Sequence, residues 1–110
     1  MLKKNSRIHK ERFEEIISRG KTFHATYVYI RTLPSLDGVK KFSTVVPKKV
    51  AKKAHDRNLI KRRINHVLRL CNKSFSTKDY LVFAKNEIKN SEFSTLSADI
   101  EKIARNISAK

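Results

Sequence analysis

Residues 57–71 read RNLIKRRINHVLRLC and place Ile60, Ile64, Val67, Leu68 and Cys71 at helical spacing on one stripe. A helix with one apolar stripe must lay it against a second layer, so this segment excludes an isolated helix and demands a packed partner. The spacing predicts a helix over roughly 50–71, the longest in the chain. Asp56 and Asn58 lower its local propensity and make the first turns looser than the rest.

The rest of the same helix is unusual in its charge. At about 100° per residue, Arg57, Asn58, Lys61, Arg62, Asn65 and Arg69 form one contiguous arc that contains no acid, with Arg63 set apart from it. A solvated helix usually mixes signs, because opposite charges one turn apart help by about 0.2–0.5 kcal/mol and like charges cost as much. The arc forgoes that stability, which an external anion would restore. Residues 48–70 hold nine lysines and arginines against Asp56 alone, counting Lys48, Lys49, Lys52 and Lys53 ahead of the arc. Basic side chains at a helix start oppose its dipole, whereas the free N–H groups there favour phosphate. Over the whole chain, 26 Lys and Arg face 10 Asp and Glu, a net charge of +16. Nucleic acid is the first candidate partner, an anionic membrane surface the second.

The remaining segments supply the second layer. Phe13, Ile16 and Ile17 share a face of a short helix over 10–19, and Gly20 is expected to end it in a left-handed conformation. Residues 22–33 read as a strand, with an extra short strand near Thr22–His24 as an option. Alternation puts Tyr27, Tyr29 and Arg31 on one side and Val28 and Ile30 on the other. A turn at 34–40 leads to a strand at 41–46, closed by Pro47. A third run, DYLVFA at 79–84, follows the long helix. Leu96, Ile100, Ile103 and Ile107 mark a closing helix over 94–107, with Ser94 or Ser91 as the expected N-cap. The order is α-β-β-α-β-α in one domain, residues 1–110, with a basic arm at 1–8.

Chemistry of the chain's own is poorly provided for. His9, His24, His55 and His66 have no ligand spacing with one another or with Cys71, and no carboxylate pair shares a face near the basic surface. Phosphate-loop and nucleophile motifs are absent. Asp56 reads as a surface acid. The lone Cys71 excludes an internal disulfide, and no segment approaches the ~20 apolar residues of a membrane span. The expected compartment is the cytoplasm, with no membrane partner. Charge alone does not choose between DNA and RNA. Tyr27 and Tyr29 as stacking rings, with Arg31 beside them and Phe13 as a further ring, lean toward single strands; core packing is the other reading of those rings. A structural RNA-binding protein, such as a small ribosomal component, carries the same charge.

The segment DRNLIKRRINHVLR, 56–69, resembles the signature helix of the protein subunit of bacterial ribonuclease P. Arg57 and Asn58 match the start of that pattern, Lys61 and Arg62 its end, and Leu59 stands where the family has a second arginine. The helix with Phe13 and Gly20, the aromatic strand, KDYLVFA and the closing helix extend the resemblance over nearly the whole chain. It implies an α+β fold, a two-layer α-β sandwich of three helices and a mixed sheet of three to four strands, with a left-handed β-α-β crossover through the basic helix. It further implies an accessory subunit of a ribonucleoprotein endoribonuclease that removes the 5′ leader of precursor tRNA. The catalyst would be the RNA subunit, which would also hold the Mg²⁺. By position, Arg57, Asn58, Lys61 and Arg62 would dock on the catalytic RNA. Phe13, with Tyr27 or Tyr29, would line a leader cleft between the basic helix and the sheet.

Overall fold

The computed structural model describes residues 8–108, so the basic arm, Ile8 apart, lies outside the described residues. The elements are α1 (Lys10–Arg19), β1 (Lys21–His24), β2 (Val28–Pro34), β3 (Lys41–Val45), α2 (Ala54–Leu70), β4 (Lys78–Ala84) and α3 (Phe93–Ser108). Short 3₁₀ turns at Asn72–Ser74 and Asn86–Asn90 flank β4. The strands form one mixed sheet in the order β1-β2-β4-β3, with β3 and β4 parallel and the other pairs antiparallel.

Alternation sorts the sheet into two faces. Val28, Ile30, Phe42, Tyr80 and Val82 meet Ile60, Ile64, Val67 and Leu68 of α2 and Leu96, Ile100, Ile103 and Ile107 of α3 in the main core. The apolar stripe read from the sequence is therefore the contact surface of α2. On the other face, Leu81 and Phe83 meet Ile16 of α1, with Phe13, Tyr29, Leu33 and Val45 packed around them. Arg12 anchors α1 there through Asp79, at 2.7 Å from Nε to Oδ2, and donates to the carbonyl of Pro34.

The hand of the β3-α2-β4 connection follows from Val28. Its side chain lies in the α2 core, while its carbonyl accepts from Ala25 N–H on the β1 side. Viewed from its side-chain face with the chain running up, an L residue in a strand directs N–H and C=O to the right. With β2 running up and α2 toward the viewer, β1 is thus on the right and β4 and β3 are on the left. Inverting the view so that β3 and β4 run up puts β4 to the left of β3. A near-face crossover stepping left is left-handed, the hand that most β-α-β units avoid.

Four local expectations are corrected. Residues 22–33 are not one strand but two, the optional short strand near Thr22–His24 being present as β1, and Asp99 of α3 accepts from the N–H groups of Thr26 and Tyr27, at 3.0 and 2.9 Å, in the turn between them. Gly20 has φ −74°, not a left-handed value; it is needed because a Cβ there would stand 2.6 Å from the carbonyl oxygen of Ile16. Helix α2 begins only at Ala54, since Lys53 is extended and the N–H groups of Val50 and Ala51 turn back to the Pro47 carbonyl. Neither Ser91 nor Ser94 caps α3: Thr95 Oγ1 accepts from Glu92 N–H at 3.0 Å, a Thr in the back-reaching half of a capping box.

Candidate nucleic-acid interface

With its stripe on the sheet, α2 turns Asn58, Lys61, Arg62 and Arg69 outward, all exposed. These four and Asn65 form one wall of a cleft of about 870 Å³; Phe42, Ser43 and Thr44 of the edge strand β3 form the other, and Ile8 also lines it. No acid lines it. Thr44 Oγ1 donates to Asn65 Oδ1 at 2.6 Å, which holds the amide and leaves its N–H donors for the cleft. Lys48, Lys49, Lys52 and Lys53 stand exposed in the loop before α2. The ion pairs among the described residues join carboxylates to Arg12, Arg19 and Lys41, and none involves a cation of this loop or of α2. Among the described residues, the cations of this surface thus form no ion pair within the fold.

Other cations of the region are engaged in the fold. Arg57 folds back so that Nη1 donates to the carbonyls of Ala51 and Lys52, at 3.1 and 2.6 Å, bracing the loop against the helix. Its remaining N–H groups are what it can offer a phosphate. Arg63 donates to the carbonyl of Ser91 at 2.7 Å and ties α2 to the segment before α3. It does not replace the charge that Leu59 lacks; Leu59 is 45% exposed. Cys71 is buried, and burial first, then its hydrogen bond to Glu101, pushes its thiol up to about 11.

The rings divide differently from the alternation read in the sequence. Tyr29 stacks on Phe83 at 4.8 Å between centroids and 6° between planes, Phe13 meets Phe83 edge-on at 6.4 Å, and His24 lies 5.6 Å from Tyr29. This row crosses α1, β4, β2 and β1 on the face away from α2. Tyr27 is not in it: it precedes β2, in the turn held by Asp99, and packs against the main core. Arg31 lies on the aromatic side, but its guanidinium donates to the carbonyls of Ile16 and Gly20 and to Thr22 Oγ1, closing the C-terminus of α1. Phe83 was missed because every residue from Tyr80 to Ala84 is apolar, which hides the alternation.

The lining expected for the cleft is corrected as well. The cleft does lie between α2 and the sheet, at its edge strand β3, but Phe13, Tyr27 and Tyr29 do not line it. The open cleft runs along the edge of β3, and Ile8 belongs both to its lining and to the aromatic cluster. Basic arc and aromatic row thus adjoin around the sheet edge.

The family model for ribonuclease P matches residues 2–108. A ribonuclease P protein component of Rickettsia bellii is 34% identical over 102 residues, covering 84% of this chain and 85% of its own length. The chain belongs to the ribonuclease P protein family. Its fold is that of the RNase P proteins of Staphylococcus aureus (TM-score 0.81, 21% identity, 93% of this chain and 94% of that one) and Thermotoga maritima (TM-score 0.80, 21% identity, 91% and 96%). As a family member it is the protein component of a tRNA-processing ribonucleoprotein and has ribonuclease P RNA as its partner. No helix among the described residues is long and apolar enough to cross a membrane.

Proposed function

We propose that the chain assists a catalytic RNA in removing the 5′ leader of precursor tRNA in the cytoplasm, with the reaction carried out by the RNA. The observation that carries this reading is the acid-free arc of α2 adjoining an aromatic row around the β3 edge. Lys61, Arg62, Asn58, Asn65 and Arg69, with the free donors of Arg57, hold phosphates of the catalytic RNA, and the lysines at 48, 49, 52 and 53 extend that contact. Phe13 and Tyr29, with Phe83 behind them, offer stacking surface to the unpaired leader, and Arg31 acts by positioning α1. Tyr27 contributes packing.

Mg²⁺ demands oxygen ligands. The arc presents mostly ammonium and guanidinium groups and no carboxylate; its neutral amide oxygens are those of Asn58 and Asn65, and that of Asn65 accepts from Thr44. These residues do not fit the metal, so it is held by RNA phosphates and no step passes through a protein side chain. What the protein supplies is charge and placement. It reduces repulsion between two RNAs and keeps the scissile phosphate where the RNA-bound metal acts.

The test is cleavage of precursor tRNA at low Mg²⁺ by a bacterial ribonuclease P RNA with this protein, without it, and by the protein alone. Cleavage at the mature 5′ end with both and none with the protein alone is the expected result. Tight RNA binding without stimulation would instead favour a structural RNA-binding role. Lys61→Ala should leave the thermal transition unchanged and lower the salt slope of RNA binding by about 0.7–0.9, the share of one phosphate.

A further inference from the structure

We propose that His66 of α2 and Phe93 of α3 form a second stacking site, one that takes an unpaired nucleobase of RNA bound along the basic arc; it rests on the reading of that arc as an RNA surface. The two rings lie 5.4 Å apart between centroids, tilted by 43°. Phe93 continues the stripe of Leu96, Ile100, Ile103 and Ile107 one turn beyond the core. Those four are buried, whereas Phe93 is 44% exposed. His66 is exposed too, and it also lines the cleft with Arg62 and Arg69, which stand one turn before and one turn after it on α2. Leu59 and Leu70, 45% and 61% exposed, share the His66 flank of the helix at i−7 and i+4.

An apolar and aromatic platform bordered by unpaired cations fits one occupant best. A second copy of the chain would bring the same cations against them and be repelled. A nucleotide whose phosphate sits on Arg62 or Arg69 carries a neutral, flat base that stacks on exposed rings whatever its identity. This site is separate from the row of Phe13, Tyr29 and Phe83, which lies on the opposite face of the sheet.

The chain contains no tryptophan, so Phe93→Trp places a single tryptophan, excited apart from the tyrosines, in the full-length protein at the proposed site. The probes are an oligoadenylate of about ten nucleotides and an abasic ribose-phosphate oligomer of the same length, at low salt. Both are expected to bind through the arc, but only oligoadenylate quenches the tryptophan. Phe93→Ala, with an unchanged thermal transition, should weaken oligoadenylate binding about tenfold and abasic binding hardly at all, and Phe93→Tyr should restore it. Equal quenching by the two oligomers, or binding of both without quenching, overturns the stacking site and leaves the arc intact as an RNA surface. Failure of both oligomers to bind overturns the arc reading itself. Tryptophan emission that changes with protein concentration alone would assign the patch to self-association and also overturn the proposal.

Discussion

The two faces of the sheet differ in how they are closed. On the side of α2 and α3, a continuous cluster of buried side chains runs from Val28 and Phe42 to Ile107. On the side of α1, the buried members among the described residues are Ile16, Leu81 and Phe83, ringed by partly exposed aromatics and joined by the Arg12–Asp79 pair. One face is closed by hydrophobic burial, the other by a few polar anchors that leave rings accessible. Burial is concentrated on one face and accessible rings on the other, and α2 combines a buried stripe with an exposed basic arc because its two sides differ.

That contrast is open to attack at four points, taken from the largest effect down. Ile64→Asp puts a charge into the closed face at a fully buried position and should abolish cooperative folding, a loss of more than about 4 kcal/mol. An unchanged thermal transition would show that α2 is phased differently. Arg12→Ala should cost about 3 kcal/mol, because Asp79 is left buried and unpaired and its Oδ1 already lacks a hydrogen-bond partner. Little change in the denaturant midpoint would mean that aromatic packing alone holds α1. Phe13→Ala should cost about 1 kcal/mol and weaken binding of precursor tRNA more than that of mature tRNA. Equal weakening of the two would remove Phe13 from leader recognition.

The smallest effect is expected at Asp37, in the loop between β2 and β3. The Lys41 ammonium, followed by Val39 N–H, lowers its carboxyl to about 2 from the usual 3.8. A depressed carboxylate stabilises the fold above its unfolded pKa, and that contribution is lost as pH falls from about 4 through about 2. Asp37→Asn should therefore lower stability slightly at pH 7, where the contribution is fully present, and the variant and parent should converge as pH falls through that window. A larger loss at neutral pH would show that this loop does more to close the sheet edge than its exposure implies.

Much of this was legible in the chain. The stripe of Ile60, Ile64, Val67 and Leu68 announced a helix lying on a sheet, and the acid-free arc beside it announced an anion surface. Both follow from helical periodicity, which is a property of neighbours in sequence. Less legible were features made by distant partners. Arg31 and Tyr27 looked like site residues because alternation counts positions. It does not register that the α1 carbonyls occupy the Arg31 guanidinium, or that an Asp99 carboxylate bends the chain at Tyr27. Likewise Phe83 lay hidden in an unbroken apolar run, and the pairing of His66 with Phe93 joins residues 27 positions apart.

By itself, then, the sequence determined which segments are helical or extended, which stripe of the long helix must be buried, and that its other side seeks a polyanion. These depend on local periodicity and on summed charge. Only the tertiary structure decided which cations remain free, where the cleft opens, and which rings stand together. Each of those depends on which groups the fold brings within hydrogen-bonding or stacking distance, and spacing along the chain does not encode that distance.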